Sequence, residues 1–253
     1  MTSPTTQLSL VAFYGEKGKN ELWDKIDKIQ AMIHQEIHDV FEPYEKTRLH
    51  GTIIGLEGLR IRGELISKNF IEIQKKEVKL DVEAVINFML ETNLLPLEIK
   101  FSGFNHANVN FTSRGDTPAN RSISIQGNMI VLIGWPHINS SYSPQLDTIR
   151  RRLYSFGALH KYYVASNSYD NDFFLVLGNL NSSLDDVKRR NLLSRIREEI
   201  DGWDNITIEL KTENLCIVQY EDVKLRKATP IRLKDALTMI KTLEHSYPEV
   251  KNR

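Results

Sequence analysis

The sequence predicts an α+β fold of two similar lobes, with antiparallel-rich sheets and helices on the outside. Short apolar runs bounded by glycine or polar residues, Leu8–Phe13 and Met129–Trp135 being the strongest, read as buried strands. Longer segments between such runs carry apolar residues at helical spacing. The order strand–helix–strand–helix–strand occurs twice, starting near Leu8 and near Asn128, with negligible identity between the copies.

The strand Leu8–Phe13 is followed by a helix over Glu21–Phe41, where Leu22, Ile26, Ile29, Ile33, Ile37 and Val40 form one stripe. Leu49–Leu56 is the next strand, and the basic and acidic stretch Arg60–Lys79 elaborates the connection after it. Asp81 caps a helix over Asp81–Leu94, and Leu97–Phe104 completes the first copy as a strand. Asn105–Arg121 is polar, contains Gly115, Asp116 and Pro118, and reads as an exposed loop or hairpin tip.

The second copy opens with Met129–Trp135. Its first helix is Ser143–Phe156, with Pro144 in the first turn and Leu146, Ile149 and Leu153 as the stripe. Phe173–Leu180 is a strand, Ser183–Ile200 a helix capped by Ser183, and Ile206–Leu210 and Leu215–Tyr220 are strands. Leu237–Leu243 closes the chain as a short helix. With no low-complexity tract and no proline-rich linker, 1–253 reads as one bilobal domain. Lobe one is built mainly from 8–104 and lobe two mainly from 128–225, with exchange of strands between them open and 226–253 as a C-terminal extension.

Composition narrows the class. The chain has 253 residues, 41% hydrophobic and 26% charged, the make-up of an ordinary globular protein. Lys+Arg and Asp+Glu both number 33, so the net charge of zero argues against coating nucleic acid or membrane by bulk electrostatics. The lone cysteine, Cys216, excludes an intramolecular disulfide and a four-cysteine zinc site. The polar start Thr2–Gln7 lacks the features of a signal peptide, and no apolar run approaches the ~18 residues of a membrane span, so a cytoplasmic protein is expected. A Gly-rich phosphate loop, a nucleophile elbow and a dinucleotide fingerprint are all missing from the sequence.

The residues that carry chemistry are Arg48-Leu49-His50-Gly51-Thr52-Ile53-Ile54-Gly55. Positions two apart on a strand share a face, so His50 and Thr52 project together. A hydroxyl donates to a phosphoryl oxygen, and an imidazole moves a proton near neutral pH. A bland alternative is a histidine at the rim of the core. By the same alternation Arg48 faces the same way, where its guanidinium meets phosphate. Tyr14 at the exit of the first strand and Tyr44 in the approach to the second are candidates to stack on a base.

Several stretches together resemble the two-histidine (2H) phosphoesterase superfamily, which includes the 2′-5′ RNA ligase and RNA cyclic phosphodiesterase groups. They are LSLVAF as first strand, RLHGTIIGLEG as motif strand, LEIKFSGF followed by NMIVLIGW as the crossing, and the tail ITIELKTENLCIVQYEDVKL. The likeness runs from Leu8 to Leu225. It implies two pseudo-symmetric lobes that each contribute a His-x-Thr/Ser strand to a central cleft. It further implies His50 as general acid or base, Thr52 on a phosphoryl oxygen, and no metal or organic cofactor. The partner it implies is a 2′,3′-cyclic phosphate RNA end or a small cyclic or 2′-5′ linked nucleotide, with no DNA and no membrane.

The second motif departs from the family pattern. Aligning Gly178 with the glycine after the motif puts Phe174 in the histidine slot and Val176 in the hydroxyl slot; a one-residue shift gives Phe173 and Leu175. A replacement acid is sought in His160, fourteen residues before Phe174. The alternative to a hydrolase is a catalytically disabled relative that binds RNA or nucleotide as a sensing module, with Phe174 as a stacking wall. A third class is an interaction protein without a nucleotide ligand. Elsewhere, His34 and His38 share a helix face but lack a third metal ligand, His137 reads as a loop residue, and His106 and His245 lack an evident partner. Tyr162 and Tyr163 either line the cleft or pack. The run Lys188-Arg189-Arg190 with Arg195 and Arg197 reads as a solvated helix face.

Overall fold

A computed structural model describes residues 6–15, 21–104, 109–204, 206–221 and 229–250. The first half supplies β1 (Gln7–Phe13), α1 (Glu21–Ile37), β2 (Phe41–Pro43), β3 (His50–Leu56), β4 (Gly58–Ile61), β5 (Glu64–Ser67), α2 (Val82–Glu91) and β6 (Leu97–Lys100). The short α3 (Pro118–Arg121) leads into β7 (Ile123–Gln126), β8 (Met129–Ile138), β9 (Ser141–Tyr142) and α4 (Gln145–Leu153). Next come β10 (Phe173–Leu180), α5 (Asp186–Asp201), β11 (Thr207–Leu210) and β12 (Leu215–Tyr220). The chain ends in β13 (Pro230–Arg232), α6 (Leu233–Thr238), α7 (Ile240–His245) and β14 (Glu249–Val250).

The fold is α+β. A single antiparallel sheet in the order β11-β6-β8-β10-β3-β1-β12-β13 contains strands of both halves. Two strands sit with the opposite half: β6 lies between β11 and β8, and β12 pairs with β1. The halves meet at β10 and β3, through the bridge Leu175–Gly51.

One face of the sheet carries the main core. Leu8 and Leu10 of β1, Leu132 of β8, Leu175 of β10 and Ile217 of β12 join Ile26, Ile29 and Ile33 of α1, Ile86 of α2, Ile149 of α4 and Ile196 of α5. The other face carries Val11, Cys216 and Val218 at one end, and Val131, Ile133 and Trp135 at the other. Strand alternation separates the two sets.

Several boundaries differ from expectation for local reasons. Helix α1 ends at Ile37, and Phe41, placed in that helix by its spacing, instead opens β2, opposite Leu180. Asp185, and not Ser183, caps α5: its Oδ1 accepts from Val187 N (3.1 Å) and Lys188 N (2.8 Å). The segment Arg60–Lys79 contains a β4–β5 hairpin and a π-helical turn, Phe70–Gln74. The C-terminal 229–250 is no appendage, because Leu233, Ala236, Leu243 and Tyr247 enter the main core.

Candidate functional site

The β3–β10 junction puts the motif strand beside its degenerate counterpart. Gly51 pairs with Leu175, and paired residues share a face. That face is the core, where a Cβ on Gly51 would run into the Phe173 ring. Their sequence neighbours therefore turn to the opposite face: His50 and Thr52 from β3, Phe174 and Val176 from β10. The antiparallel register sets Thr52 beside Phe174 and His50 beside Val176. Val11 and Phe13 of β1 complete the row, opposite Thr52 and His50 respectively.

A β-bulge follows Thr52. Leu10 pairs with Ile54 and Val11 with Thr52, leaving Ile53 extra, so Ile53 and Ile54 both enter the core. The bulge also presents consecutive carbonyls to one cation. Arg150 of α4, 1% exposed, donates Nε–H to Ile53 O (2.8 Å) and Nη2–H to Thr52 O (3.3 Å) and Asp172 O (3.2 Å). Its Nη1 donates to Asp170 O and Oδ1, both at 3.0 Å. One guanidinium thus ties the strand bearing Thr52 to the chain entering β10.

The tautomer of His50 follows from a single contact. Nδ1 lies 2.8 Å from the Arg48 carbonyl oxygen, which only accepts, so Nδ1 carries the proton of the neutral ring and Nε2 holds the lone pair. Burial pushes the imidazole below its ordinary pKa, and the Arg48 carbonyl partly opposes that shift. The half-buried ring sits 6.1 Å from that of Tyr44, between centroids, while Thr52 is exposed.

A second cluster stands where β10 begins. Asp172 Oδ1 accepts from Ser113 Oγ (2.6 Å) and Trp135 Nε1 (2.7 Å), and its Oδ2 from Arg121 Nη2 (2.6 Å). Asp170 Oδ2 accepts from Arg114 Nη2 at 2.6 Å, and Arg114 Nε lies 3.4 Å from Asp172 Oδ2. The carboxylates are almost fully buried, which favours their neutral form, but the adjoining His160 and arginines hold Asp170 well below the usual carboxylate range. With Arg150, Arg114 and Arg121 against Asp170 and Asp172, these five side chains hold one positive charge in excess. The Arg114 guanidinium carbon is 4.2 Å from the Tyr162 ring centroid and 5.5 Å from that of Phe174.

Comparison with protein-family models and with curated proteins finds no match to this chain.

The structure brings His50, Thr52, Tyr44 and Phe174 to one neighbourhood and removes three candidates from it. Tyr14 continues the even-numbered, core-facing side of β1: its ring meets the Phe173 edge at 6.4 Å and its hydroxyl donates to Glu209 O. It therefore does not offer a face to a base. Arg48 ends a 3-10 turn, Lys46–Arg48, so strand alternation does not apply to it; its guanidinium pairs with Glu45 at 3.0 Å. His160 is 5% exposed, with Nε2 3.5 Å from Asp170 Oδ2 and Tyr162 and Tyr163 against its ring. An imidazole that solvent does not reach is badly placed to protonate a leaving group.

Other histidines also move from their expected settings. His137 is part of β8, is buried, and donates Nδ1–H to Trp135 O (2.9 Å); it is not in a loop. His38 pairs with Asp39, and among the described residues no group of three His, Cys, Asp or Glu is arranged to hold a metal. His245 contacts Lys241 O in α7, and His106 lies outside the described residues. Tyr163 is buried on Asp147 Oδ1 at 2.7 Å, so of the tyrosine pair only Tyr162 adjoins the site. No helix among the described residues is long and apolar enough to cross a membrane.

Sequence reading missed the arginine–aspartate cluster, although it left a signal. Arg150 is four residues after Leu146 and three before Leu153, hence on the apolar stripe of α4. A charge on a buried stripe demands a partner, and Asp170-Asn171-Asp172 directly before an apolar strand is the matching acid.

Proposed function

We propose that the face carrying His50 and Thr52 is a phosphodiester site, acting in the cytoplasm on a 2′,3′-cyclic phosphate RNA end or a small cyclic or 2′-5′ linked nucleotide. The observation that carries this assignment is the Nδ1 contact of His50 with the Arg48 carbonyl. It leaves Nε2 as a base, on the same face as an exposed threonine hydroxyl two residues away. The resemblance of the chain to two-histidine phosphoesterases supports the same chemistry. Thr52 donates to a phosphoryl oxygen and His50 Nε2 takes a proton from the attacking water. The water oxygen bonds to phosphorus, one ring P–O bond breaks, and the ribose oxygen leaves with a proton from solvent.

A second reading is favoured by Phe174 and Val176, which share the face with His50 and Thr52 and transfer no proton. On that reading the protein binds the nucleotide without turning it over.

Both are tested on an RNA oligonucleotide ending in a 2′,3′-cyclic phosphate, with wild type and His50→Ala side by side. Loss of turnover by about 10²–10⁴ in the variant supports the hydrolase. Binding by calorimetry without turnover supports the binding module. Neither binding nor turnover, on this RNA and on a 2′-5′ linked oligoadenylate, rejects both.

A further inference from the structure

Resting on the phosphodiester assignment above, we propose that Arg114 is the anion anchor of the second strand, taking a phosphoryl oxygen of the same ligand where the resemblance expects a histidine. Position is the first support. Phe174 occupies that slot and shares its face with Thr52 on the adjoining strand, and the Arg114 guanidinium carbon lies 5.5 Å from the Phe174 ring. The cation therefore stands over the vacated position.

Exposure and charge are the second support. Arg150, Arg121 and Arg114 all face the two buried carboxylates, yet their side chains are 1%, 16% and 32% exposed. The cluster carries one net positive charge, since His160 is held at a pKa of about 4, mainly by burial, and is neutral at pH 7. Arg114 is the member through which that charge reaches solvent.

Pre-organisation is the third. Ser113 and Asp116 exchange backbone hydrogen bonds, closing a two-residue turn whose tip is Arg114 (φ +48°) and Gly115 (φ +82°). Ser113 Oγ anchors that turn to Asp172, and Asp170 holds Arg114 Nη2 while Tyr162 lies 4.2 Å from its guanidinium carbon. A planar guanidinium fixed in this way loses little freedom when a phosphate binds. Arginine stays protonated at neutral pH, so its contribution is charge and hydrogen bonding, not proton transfer. The site is then asymmetric, with one proton-transfer group on β3 and one fixed cation over β10.

The test measures the affinity of wild type, Arg114→Gln, Arg114→Lys and Arg121→Gln for the cyclic-phosphate RNA oligonucleotide between 50 and 300 mM salt. Near-ultraviolet dichroism checks each fold. The expected result is that R114Q weakens binding about 10-fold or more and flattens the slope of log Kd against log salt by about 0.7–1. R114K keeps the slope while binding more weakly, and R121Q keeps it too. A merely structural arginine lowers thermal stability without touching the slope. If R114Q unfolds, R114K decides: affinity equal to wild type overturns the proposal. An unchanged slope in folded R114Q, or an equal loss in R121Q, overturns the Arg114 assignment while leaving His50 and Thr52 standing. Absence of wild-type binding overturns both.

Discussion

Replacing Arg150 by methionine tests whether one buried guanidinium holds the two motif strands in place. The side chain is 1% exposed and makes five hydrogen bonds, to Ile53 O, Thr52 O, Asp172 O, Asp170 O and Asp170 Oδ1. Methionine matches the length of the stem and returns none of them. Each buried carbonyl left unpaired costs about 1–3 kcal/mol, and breaking a buried ion pair costs about 3–5 kcal/mol. These terms overlap, and Asp170 keeps Arg114 as partner, so the net loss is about 4 kcal/mol. For a chain of this length that lowers Tm by about 8–16 °C. Because both bulge carbonyls lose their donor, Thr52 also loses its fixed presentation, and nucleotide affinity should fall beyond what unfolding explains. Chemical denaturation of R150M and wild type, with nucleotide titration of the folded variant, makes the comparison. A loss under about 1 kcal/mol would refute the clamp, since even one unsatisfied buried carbonyl should cost that much.

Three further outcomes are expected. Burial holds the His160 pKa at about 4 in the fold, against about 6.5 in the unfolded chain. The unfolded chain therefore binds the extra proton between those values, so stability is complete above about pH 6.5 and falls as pH drops towards 4, by about 3 kcal/mol from this residue. His160→Gln should shrink that slope in denaturant titrations at pH 4.5 and 7, and an unchanged slope would exclude His160 as its source. Gly51→Ala forces a methyl into the Phe173 ring, and overpacking of this kind costs about 1–3 kcal/mol, read as a lower denaturation midpoint; no shift would mean that the strands part easily. Phe174→His combined with Val176→Thr restores a His-x-Thr pattern beside His50 and Thr52, and should raise cyclic-phosphate hydrolysis by about 10². Turnover no faster than wild type would show that the two strands are not spaced for paired acid–base work.

The acid limb of activity should also carry the signature of His50. As a base it must be unprotonated, and burial lowers its pKa below the ordinary histidine value. Turnover is then flat through neutrality and declines only as pH falls below about 6.5, checked by a pH–rate profile. A decline beginning above pH 7 would contradict this half-buried imidazole acting as base.

The main elements and the shared face of the motif were legible in the residues alone. Its apolar runs and helical stripes are local patterns, so β1, β3, β8, β10 and the four longer helices appear where the periodicity put them. His50 and Thr52 share a face for the same reason, because alternation is a property of the strand alone. What surrounds them depends on contacts between distant segments. Strand alternation misassigned Arg48, since a 3-10 turn ends there, whereas the same alternation, continued from Leu8, Leu10 and Ala12, puts Tyr14 on the core side against Phe173. Arg114 reaches Asp170 and Asp172 across 56 and 58 positions, and Arg150 reaches Thr52 across 98. Such contacts depend on which strands become neighbours, here β10 beside β3 and β6 beside β8. Burial acts at the same level: it keeps His160 neutral beside Asp170, because desolvation depends on every segment packed around the ring.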